Sequence, residues 1–237
     1  NGGSNASLVA IDPKTGGILA LVGSADYSNP DFGTVNMATT PRQPGSSFKP
    51  IYYTDALARG KITPVTVIDD AKTGFGGGYS PNNADRTFRG NVTVRQALNW
   101  SLNIPSIKVM QKDGIDNAIT AASKLGITTI DKDKNYGLSL ALGSAEVPLT
   151  EMTNAYATFA NQGNHYDYSS VSSIKNKYDQ TIFTQKRKSE QAVSTDGSYL
   201  ISNILSDNQT RSSVFGSSLN VVGTDGRVKN VAVKTGT

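Results

Sequence analysis

The stretch RQPGSSFKPIYYTDALARG, residues 42–60, decides the fold, because it joins a tight turn to a long apolar helix. Pro44-Gly45 predicts the turn. A helix is expected from about Ser46 to Arg59, and Gly60 is a typical residue at which a helix ends. Large apolar side chains recur on one face of this helix and are expected to lie in the core: Phe48, Ile51, Tyr52, Ala56 and Leu57.

The first turn of this helix carries a serine and a lysine at a spacing that suits nucleophilic catalysis. Ser46 and Lys49 are three residues apart and share a helix face, whereas Ser47 and Lys49 do not. A serine hydroxyl needs a base, and a lysine becomes one when burial or a second cation favours its neutral form. Ser46 is therefore the better candidate for a nucleophile, with Lys49 as its base. Pro50 removes a backbone hydrogen bond, so we expect an irregular first turn.

The composition of the 237-residue chain is typical of a globular protein. Hydrophobic residues make up 37% and charged residues 18%, which is enough apolar material for a core. The net charge is +4, but the lysines are scattered apart from a short cluster at 185–190, so no nucleic-acid partner is expected. No stretch approaches the roughly 18 apolar residues that a membrane helix needs.

The absence of cysteine excludes disulfides, thiol catalysis and thiolate metal sites. The chain has one histidine, His165, which follows a predicted helix and is interpreted as a surface residue. One histidine cannot build a multi-histidine metal site. We therefore expect neither a metal ion nor another cofactor.

Strands are predicted at both ends of the chain and helices mainly between them. Residues 8–22 predict a β-hairpin, and the apolar residues Val231 and Val233 predict a strand that leads to Lys234. The remaining predicted elements are helices at about 93–101, 115–125, 149–161 and 196–206 and a second β-region near 169–183.

This order of elements predicts an α+β fold. An antiparallel sheet is expected from the two chain ends, about 1–45 and 210–237, flanked by helices, with a mainly helical region inserted at about 60–200. We expect residues 1–237 to form one domain that is incomplete at its C-terminus, because a sheet edge left open there would be exposed.

Two further motifs accompany Ser46-x-x-Lys49 in the sequence. Ser101-Leu102-Asn103 lies within VRQALNWSLNIPS, and Lys234-Thr235-Gly236-Thr237 follows an apolar run. Each motif alone is common and has little meaning. Together and in this order, Ser-x-x-Lys, a Ser-x-Asn triplet and Lys-Thr-Gly are typical of class A β-lactamases and penicillin-binding proteins.

The chain resembles the transpeptidase domain of class A (bifunctional) penicillin-binding proteins along almost its whole length. The resemblance is carried by RQPGSSFKP (42–50), VTVRQALNWSLNIPS (92–106), AYATFANQG (155–163) and DPKTGGILALVG (12–23). It implies a penicillin-binding protein/serine β-lactamase-like fold and a serine D,D-transpeptidase that cross-links peptidoglycan stem peptides. β-Lactam antibiotics would acylate the same serine.

The resemblance also implies a role for each motif residue. Ser46 would be acylated, Lys49 would be the base, and Ser101 would relay protons to the leaving nitrogen. Asn103 would bind the peptide part of the substrate, and Lys234 would supply positive charge. Thr235 and Thr237 would bind the terminal carboxylate, and Gly236 would allow the backbone to approach the ligand closely. Backbone N–H groups of Ser46 and Thr237 would form the oxyanion hole.

One departure from the motifs bears on the reaction. Leu102 stands where class A β-lactamases carry an aspartate, which favours a penicillin-binding protein. Glu146 and Glu151 are the acids weighed as water-activating groups, and both are interpreted as structural. The alternatives are a D,D-carboxypeptidase or serine β-lactamase, and a non-catalytic β-lactam sensor or scaffold.

The resemblance further implies partners outside these residues. They are the remaining C-terminal part of the same domain, a glycosyltransferase domain and a membrane anchor. The expected location is the extracytoplasmic face of the bacterial cell membrane.

Overall fold

The computed structural model describes residues 3–237, and its chain begins with the predicted β-hairpin. Strands β1 (Leu8–Ile11) and β2 (Ile18–Val22) pair antiparallel. The turn between them is held by Asp12, whose carboxylate accepts hydrogen bonds from the Thr15 hydroxyl at 2.7 Å and the Lys14 N–H at 3.0 Å. Aspartate binding to nearby backbone is the usual way such turns are stabilised.

The central element is helix α1 (Lys49–Ala58), which follows a 3₁₀ turn at Gly45–Phe48. The predicted helix and its irregular first turn are both confirmed. Pro50 lies in the first turn of α1, where a missing N–H breaks no helical hydrogen bond. Eight of the ten residues of α1 are buried. Because α1 is held in the core, it fixes the position of the 3₁₀ turn that precedes it.

Helices α2 (Val94–Asn99) and α3 (Asn103–Asp113) enclose the second motif. The sequence analysis predicted a helix at about 93–101, which corresponds to α2, but none over the residues of α3. Pro105 is the third residue of α3, and proline is tolerated in a first turn. The short strands β3 (Val67–Asp70) and β4 (Gly90–Thr93) pair antiparallel just before α2.

The other helices are α4 (Ile115–Lys124), α5 (Leu149–Ala160), α6 (Thr195–Leu205) and α7 (Asn208–Phe215), with a second 3₁₀ turn at Leu138–Leu142. They contribute to the main core around α1, except α7, whose one buried residue is Arg211. Helices α3, α4 and α6 pack directly on α1. Tyr52 and Tyr53 of α1 bind α3 through Ser106: the Tyr52 hydroxyl donates to its carbonyl at 3.2 Å, and the Tyr53 hydroxyl lies 3.0 Å from its hydroxyl.

The second β-region consists of two small antiparallel pairs. They are β5 (Asn164–Tyr166) with β8 (Ser189–Gln191), and β6 (Ser173–Lys175) with β7 (Thr181–Thr184). No helix within residues 3–237 has the length and apolar character needed to cross a bilayer.

The strand predicted at the end of the chain is not formed. Residues 229–237 join no strand ladder in the described part of the chain. Instead the Val233 N–H donates to the Leu205 carbonyl at the end of α6, at 3.1 Å. Val231 and Val233 alternate as they would in a strand, but pairing depends on a neighbouring strand, which this pattern does not specify.

Helix α2 begins with a capping box whose contribution can be measured. The Gln96 N–H donates to the Thr93 hydroxyl at 3.2 Å, and the Thr93 N–H donates to the Gln96 side chain at 2.8 Å. Thr93→Ala is expected to lower the free energy of unfolding by about 1 kcal/mol, as measured by urea denaturation. Thr34 is exposed and its side chain makes no hydrogen bond within residues 3–237, so Thr34→Ala is the control. Equal losses in the two variants would contradict a stabilising role for the box.

Candidate active site

The 3₁₀ turn places Ser46 and Ser47 in different surroundings. Ser46 is half-buried and its side chain makes no hydrogen bond within the described chain. The Ser47 hydroxyl donates to the Pro44 carbonyl at 2.6 Å, and its backbone carbonyl accepts from the Tyr156 hydroxyl at 2.8 Å. Ser46 therefore keeps a free hydroxyl, while Ser47 serves to hold the turn in place.

The amino group of Lys49 is fully buried and bound by a single segment of chain. Its Nζ donates to the Ser101 carbonyl at 2.7 Å, the Leu102 carbonyl at 3.1 Å and the Asn103 Oδ1 at 2.9 Å. All three acceptors belong to the Ser101-Leu102-Asn103 triplet. The first two motifs are therefore in direct contact through Lys49.

The surroundings of Lys49 favour its neutral form. Burial lowers the pKa of Lys49 well below the ordinary value for a lysine, and the positive charge of Lys234 lowers it further. A lysine with a lowered pKa can accept a proton near neutral pH. Lys49 thus has the electrostatic environment required of a base.

Ser101 lies between the two lysines. Its backbone carbonyl accepts from Lys49, and its hydroxyl accepts from the Nζ of Lys234 at 2.7 Å. The residue has φ +58°, in the left-handed region that is unfavourable for a side chain with a Cβ. This conformation makes the turn between α2 and α3 and lets one residue bind both amino groups.

Lys234 is half-buried and is the second charged group of the site. Its Nζ also donates to the Thr235 carbonyl at 3.0 Å. Loss of contact with water lowers the pKa of Lys234 to about 7. Near neutral pH it is therefore partly charged and can either donate a proton or attract an anion.

The residues after Lys234 run alongside the 3₁₀ turn. A Cβ added to Gly236 would lie 2.6 Å from the Pro44 carbonyl oxygen, so a larger residue would push the two segments apart. A Cβ added to Gly45, which has φ +57°, would lie even closer to the backbone of Thr237. Glycines on both sides thus allow the third motif to lie next to the first.

A cavity of about 340 Å³, here called the Ser46 cavity, is lined by most of the predicted site residues. Its lining includes Ser46, Ser101, Asn103, Thr235 and Thr237. The two lysines adjoin it through Ser101, and Gly236 packs behind it against the first motif. The structure therefore brings all eight predicted site residues together. A larger cavity of about 760 Å³ beside α3 and α4 contains none of them.

Three residues near the site were missed by the sequence analysis. Asn83 accepts a hydrogen bond from the Asn103 N–H at 2.8 Å, and the Asn82 carbonyl accepts one from the Asn103 side chain at 2.8 Å. The buried carboxylate of Asp70 binds the Asn83 side chain. The paired asparagines of a glycine-rich loop were the only available signal, and they resemble an ordinary turn.

The two glutamates considered as water-activating groups lie outside the cavity. The Glu151 carboxylate accepts hydrogen bonds from the Thr128 N–H at 2.9 Å and its hydroxyl at 2.6 Å. Glu146 is exposed. Neither lines the Ser46 cavity.

Almost the whole chain matches a known protein family. Residues 6–237 match the family described as penicillin binding protein transpeptidase domain. The chain belongs to this family.

Curated relatives of this penicillin-binding transpeptidase chain are longer proteins. It is 35% identical over 185 residues to penicillin-binding protein 1A of Pseudomonas aeruginosa, covering 76% of this chain and 22% of the relative. It is 32% identical over 202 residues to penicillin-binding protein 1F of Bacillus subtilis, covering 84% of this chain and 27% of the relative. The chain thus spans only 22% and 27% of the lengths of these two relatives.

Solved penicillin-binding proteins share the fold. Penicillin-binding protein 1A from Haemophilus influenzae has a TM-score of 0.76 at 24% identity, covering 91% of this chain and 36% of that one. The imipenem acyl-enzyme complex of penicillin-binding protein A from M. tuberculosis has a TM-score of 0.77 at 23% identity, covering 88% and 57%. The expected α+β penicillin-binding protein fold is confirmed.

The positive charge of Lys234 should contribute to the low proton affinity of Lys49. Burial is the main cause of the lowered pKa of Lys49, and the positive charge of Lys234 lowers it further. Lys234→Met removes only that charge, so the pKa of Lys49 is expected to rise but to stay below the ordinary value of about 10.4. The measurement is a pH titration by NMR of lysines labelled at Cε, with Lys49→Met used to assign the signal. The signal lost in Lys234→Met should titrate near pH 7 in the unmodified protein.

Lys229→Met is the matched control, because Lys229 pairs with Asp225 at the surface. It removes the same charge from a side chain that contacts neither Ser101 nor Lys49, so it should leave the Lys49 titration unchanged. An unchanged Lys49 signal in Lys234→Met would show that the two amino groups are not electrostatically coupled.

Proposed function

We propose that this protein is a serine D,D-transpeptidase that cross-links peptidoglycan stem peptides through an acyl-enzyme on Ser46. The observation that carries the proposal is the buried Lys49, three residues from Ser46 and bound to the triplet that contains Ser101. A hydroxyl in a cavity, with a low-pKa lysine on the same helix turn, has what nucleophilic catalysis requires.

Acylation begins when the Ser46 hydroxyl attacks the carbonyl carbon of the penultimate D-Ala. In its neutral form Lys49 has two N–H hydrogens, so it releases one of its three acceptors and takes the hydroxyl proton as the C–O bond forms. Backbone N–H groups of Ser46 and Thr237 stabilise the oxyanion. The C–N bond to the terminal D-Ala then breaks, and the nitrogen leaves after receiving a proton from the Ser101 hydroxyl.

The second lysine supports both binding and proton transfer. Lys234 donates to the Ser101 hydroxyl, so it can return the proton that Ser101 gives to the leaving nitrogen. Its charge, with the hydroxyls of Thr235 and Thr237, attracts the terminal carboxylate of the substrate. Asn103 binds the peptide part. An amine of another stem peptide then attacks the Ser46 ester and forms the cross-link. As the acyl C–O bond breaks, Lys49 returns its proton to Ser46, and the proton of the amine passes through Ser101 to Lys234.

β-Lactams are proposed to acylate Ser46 and remain there. Support comes from the similar M. tuberculosis protein, whose structure is an imipenem acyl-enzyme complex. Release by water, as in a β-lactamase, would need a group that activates the water molecule at the ester. Asp85 is the one acid among the described residues that line the Ser46 cavity, and its ion pair with Arg89 at 2.5 Å lowers its pKa to about 2. Asp85 is therefore a poor water-activating group, which favours a transpeptidase over a β-lactamase.

The remaining proposals concern the surroundings of this domain. The relatives named penicillin-binding protein 1A are much longer than this chain. We infer that the domain works at the extracytoplasmic face of the bacterial membrane, together with a glycosyltransferase domain, a membrane anchor and a further C-terminal part of the same domain.

Ser46→Ala is expected to abolish covalent labelling by a fluorescent penicillin, because no hydroxyl remains to form the ester. The measurement is intact-protein mass after addition of the drug, followed by peptide mapping. Ser47→Ala is the matched control and should still be labelled, since its hydroxyl is bound to Pro44. Labelling that persists in Ser46→Ala but disappears in Ser47→Ala would move the nucleophile to Ser47.

The pH dependence of acylation should report both lysines. The second-order rate constant depends on the protonation of the free enzyme. It should rise with pH as Lys49 becomes neutral and fall above pH 7 as Lys234 loses its charge. At two pH units above that pKa the fall reaches about 100-fold.

Lys234→Arg distinguishes the deprotonation of Lys49 from the loss of charge at residue 234, because arginine stays charged over the whole pH range of the experiment. The fall above pH 7 should disappear in this variant while the rise at lower pH remains. The measurement is the rate of acylation by benzylpenicillin from about pH 5 to about pH 10, a range that brackets the ordinary and lowered lysine pKa values. A fall at the same pH in both proteins would assign it to another group.

A further inference from the structure

The N-terminus of α3 lacks a cap from its own chain segment. Leu102 occupies the capping position and has no side-chain acceptor, so no local group binds the first free N–H groups. The Asn103 N–H donates instead to the Oδ1 of Asn83, at 2.8 Å. A residue on a loop twenty positions earlier therefore caps the helix that begins in the active site.

The side-chain amide of Asn83 has one orientation that satisfies its neighbours. Its Nδ2 lies 2.8 and 3.0 Å from the two carboxylate oxygens of Asp70 and 2.8 Å from the Thr87 carbonyl. These are all acceptors, so the nitrogen must face them and the oxygen must face the Asn103 N–H. If the amide were flipped, its oxygen would face the acceptor oxygens of Asp70 and Thr87. Its nitrogen would then face the Asn103 N–H, which is also a donor.

Asp70 is a buried carboxylate that fixes this orientation. It is fully buried at the end of β3 and accepts one further hydrogen bond, from the Arg89 N–H at 3.0 Å. Asn83 is 3% exposed. A buried polar group that lost its partner would be destabilised, which makes the Asp70–Asn83 pair a rigid support.

We propose that Asn83, oriented by Asp70, is a positioning residue for acylation, because it sets the place of the three groups that bind Lys49. The proposal rests on the function proposed above. Asn83 holds the Asn103 backbone, and Asn103 together with Ser101 and Leu102 supplies every acceptor of the Lys49 amino group among the described residues. A shift at the start of α3 moves all of them at once.

The first test is acylation of the full-length protein by a fluorescent penicillin at several drug concentrations. The fit separates the acylation rate constant, the dissociation constant of the initial complex and the fraction of protein labelled. Asn83→Ala is expected to lower the rate constant by about 10- to 100-fold, since small displacements of catalytic groups have effects of this size. The labelled fraction should stay near that of the unmodified protein.

Asp70→Asn and the double variant test the proposed order of contacts. The side-chain amide introduced by Asp70→Asn would present a donor to the Asn83 nitrogen and so disturb its orientation. If Asp70 acts through Asn83, the rate constant in the variant that combines Asp70→Asn with Asn83→Ala should equal that in Asn83→Ala alone. Asn91→Ala is the matched control, because Asn91 is exposed and its side chain makes no hydrogen bond within residues 3–237.

Each other outcome overturns the proposal in a recognisable way. A lower labelled fraction or melting temperature with an unchanged rate constant would make Asn83 purely structural. Independent, additive losses in the double variant would remove Asp70 from the positioning role. Normal acylation of Ser46 with an unchanged Asn83→Ala rate would refute this inference alone. No acylation of the unmodified protein at Ser46 would refute the proposed function as well.

Discussion

The amino group of Lys49 is shut off from water, and this constraint organises the structure around it. A buried ammonium group is strongly destabilising unless hydrogen-bond acceptors replace the lost water. Its acceptors come from the 101–103 triplet, so the turn between α2 and α3 must be held against the start of α1. The buried tyrosines of α1 bind Ser106 of α3 and maintain that contact.

The burial of Lys49 also determines its proton affinity. Burial makes Lys49 easier to deprotonate, and Lys234 adds to the effect because two like charges lie near each other. Ser101 contacts both amino groups, so in the proposed mechanism it can pass protons between them and a substrate.

Much of this arrangement follows from local sequence, and the rest depends on long-range contacts. The irregular start of α1 was predictable because proline has a fixed local effect. The beginning of α3 was not, because Leu102 gives no capping signal and its cap comes from Asn83. His165 was wrongly interpreted as a surface residue: its ring is 11% exposed and its Nδ1 lies 2.9 Å from the Thr158 hydroxyl. Burial of a single polar residue depends on what folds over it, which periodicity does not reveal.

The left-handed backbone of Ser101 has a consequence for how this domain could be engineered. Glycine adopts that conformation without the cost of about 1 kcal/mol that a side chain with a Cβ incurs there. Selection for heat resistance alone would therefore favour glycine at position 101 and discard the hydroxyl. At this residue stability opposes the proposed chemistry, so a stabilised version of the domain that keeps the proposed mechanism would need stabilising substitutions at other positions.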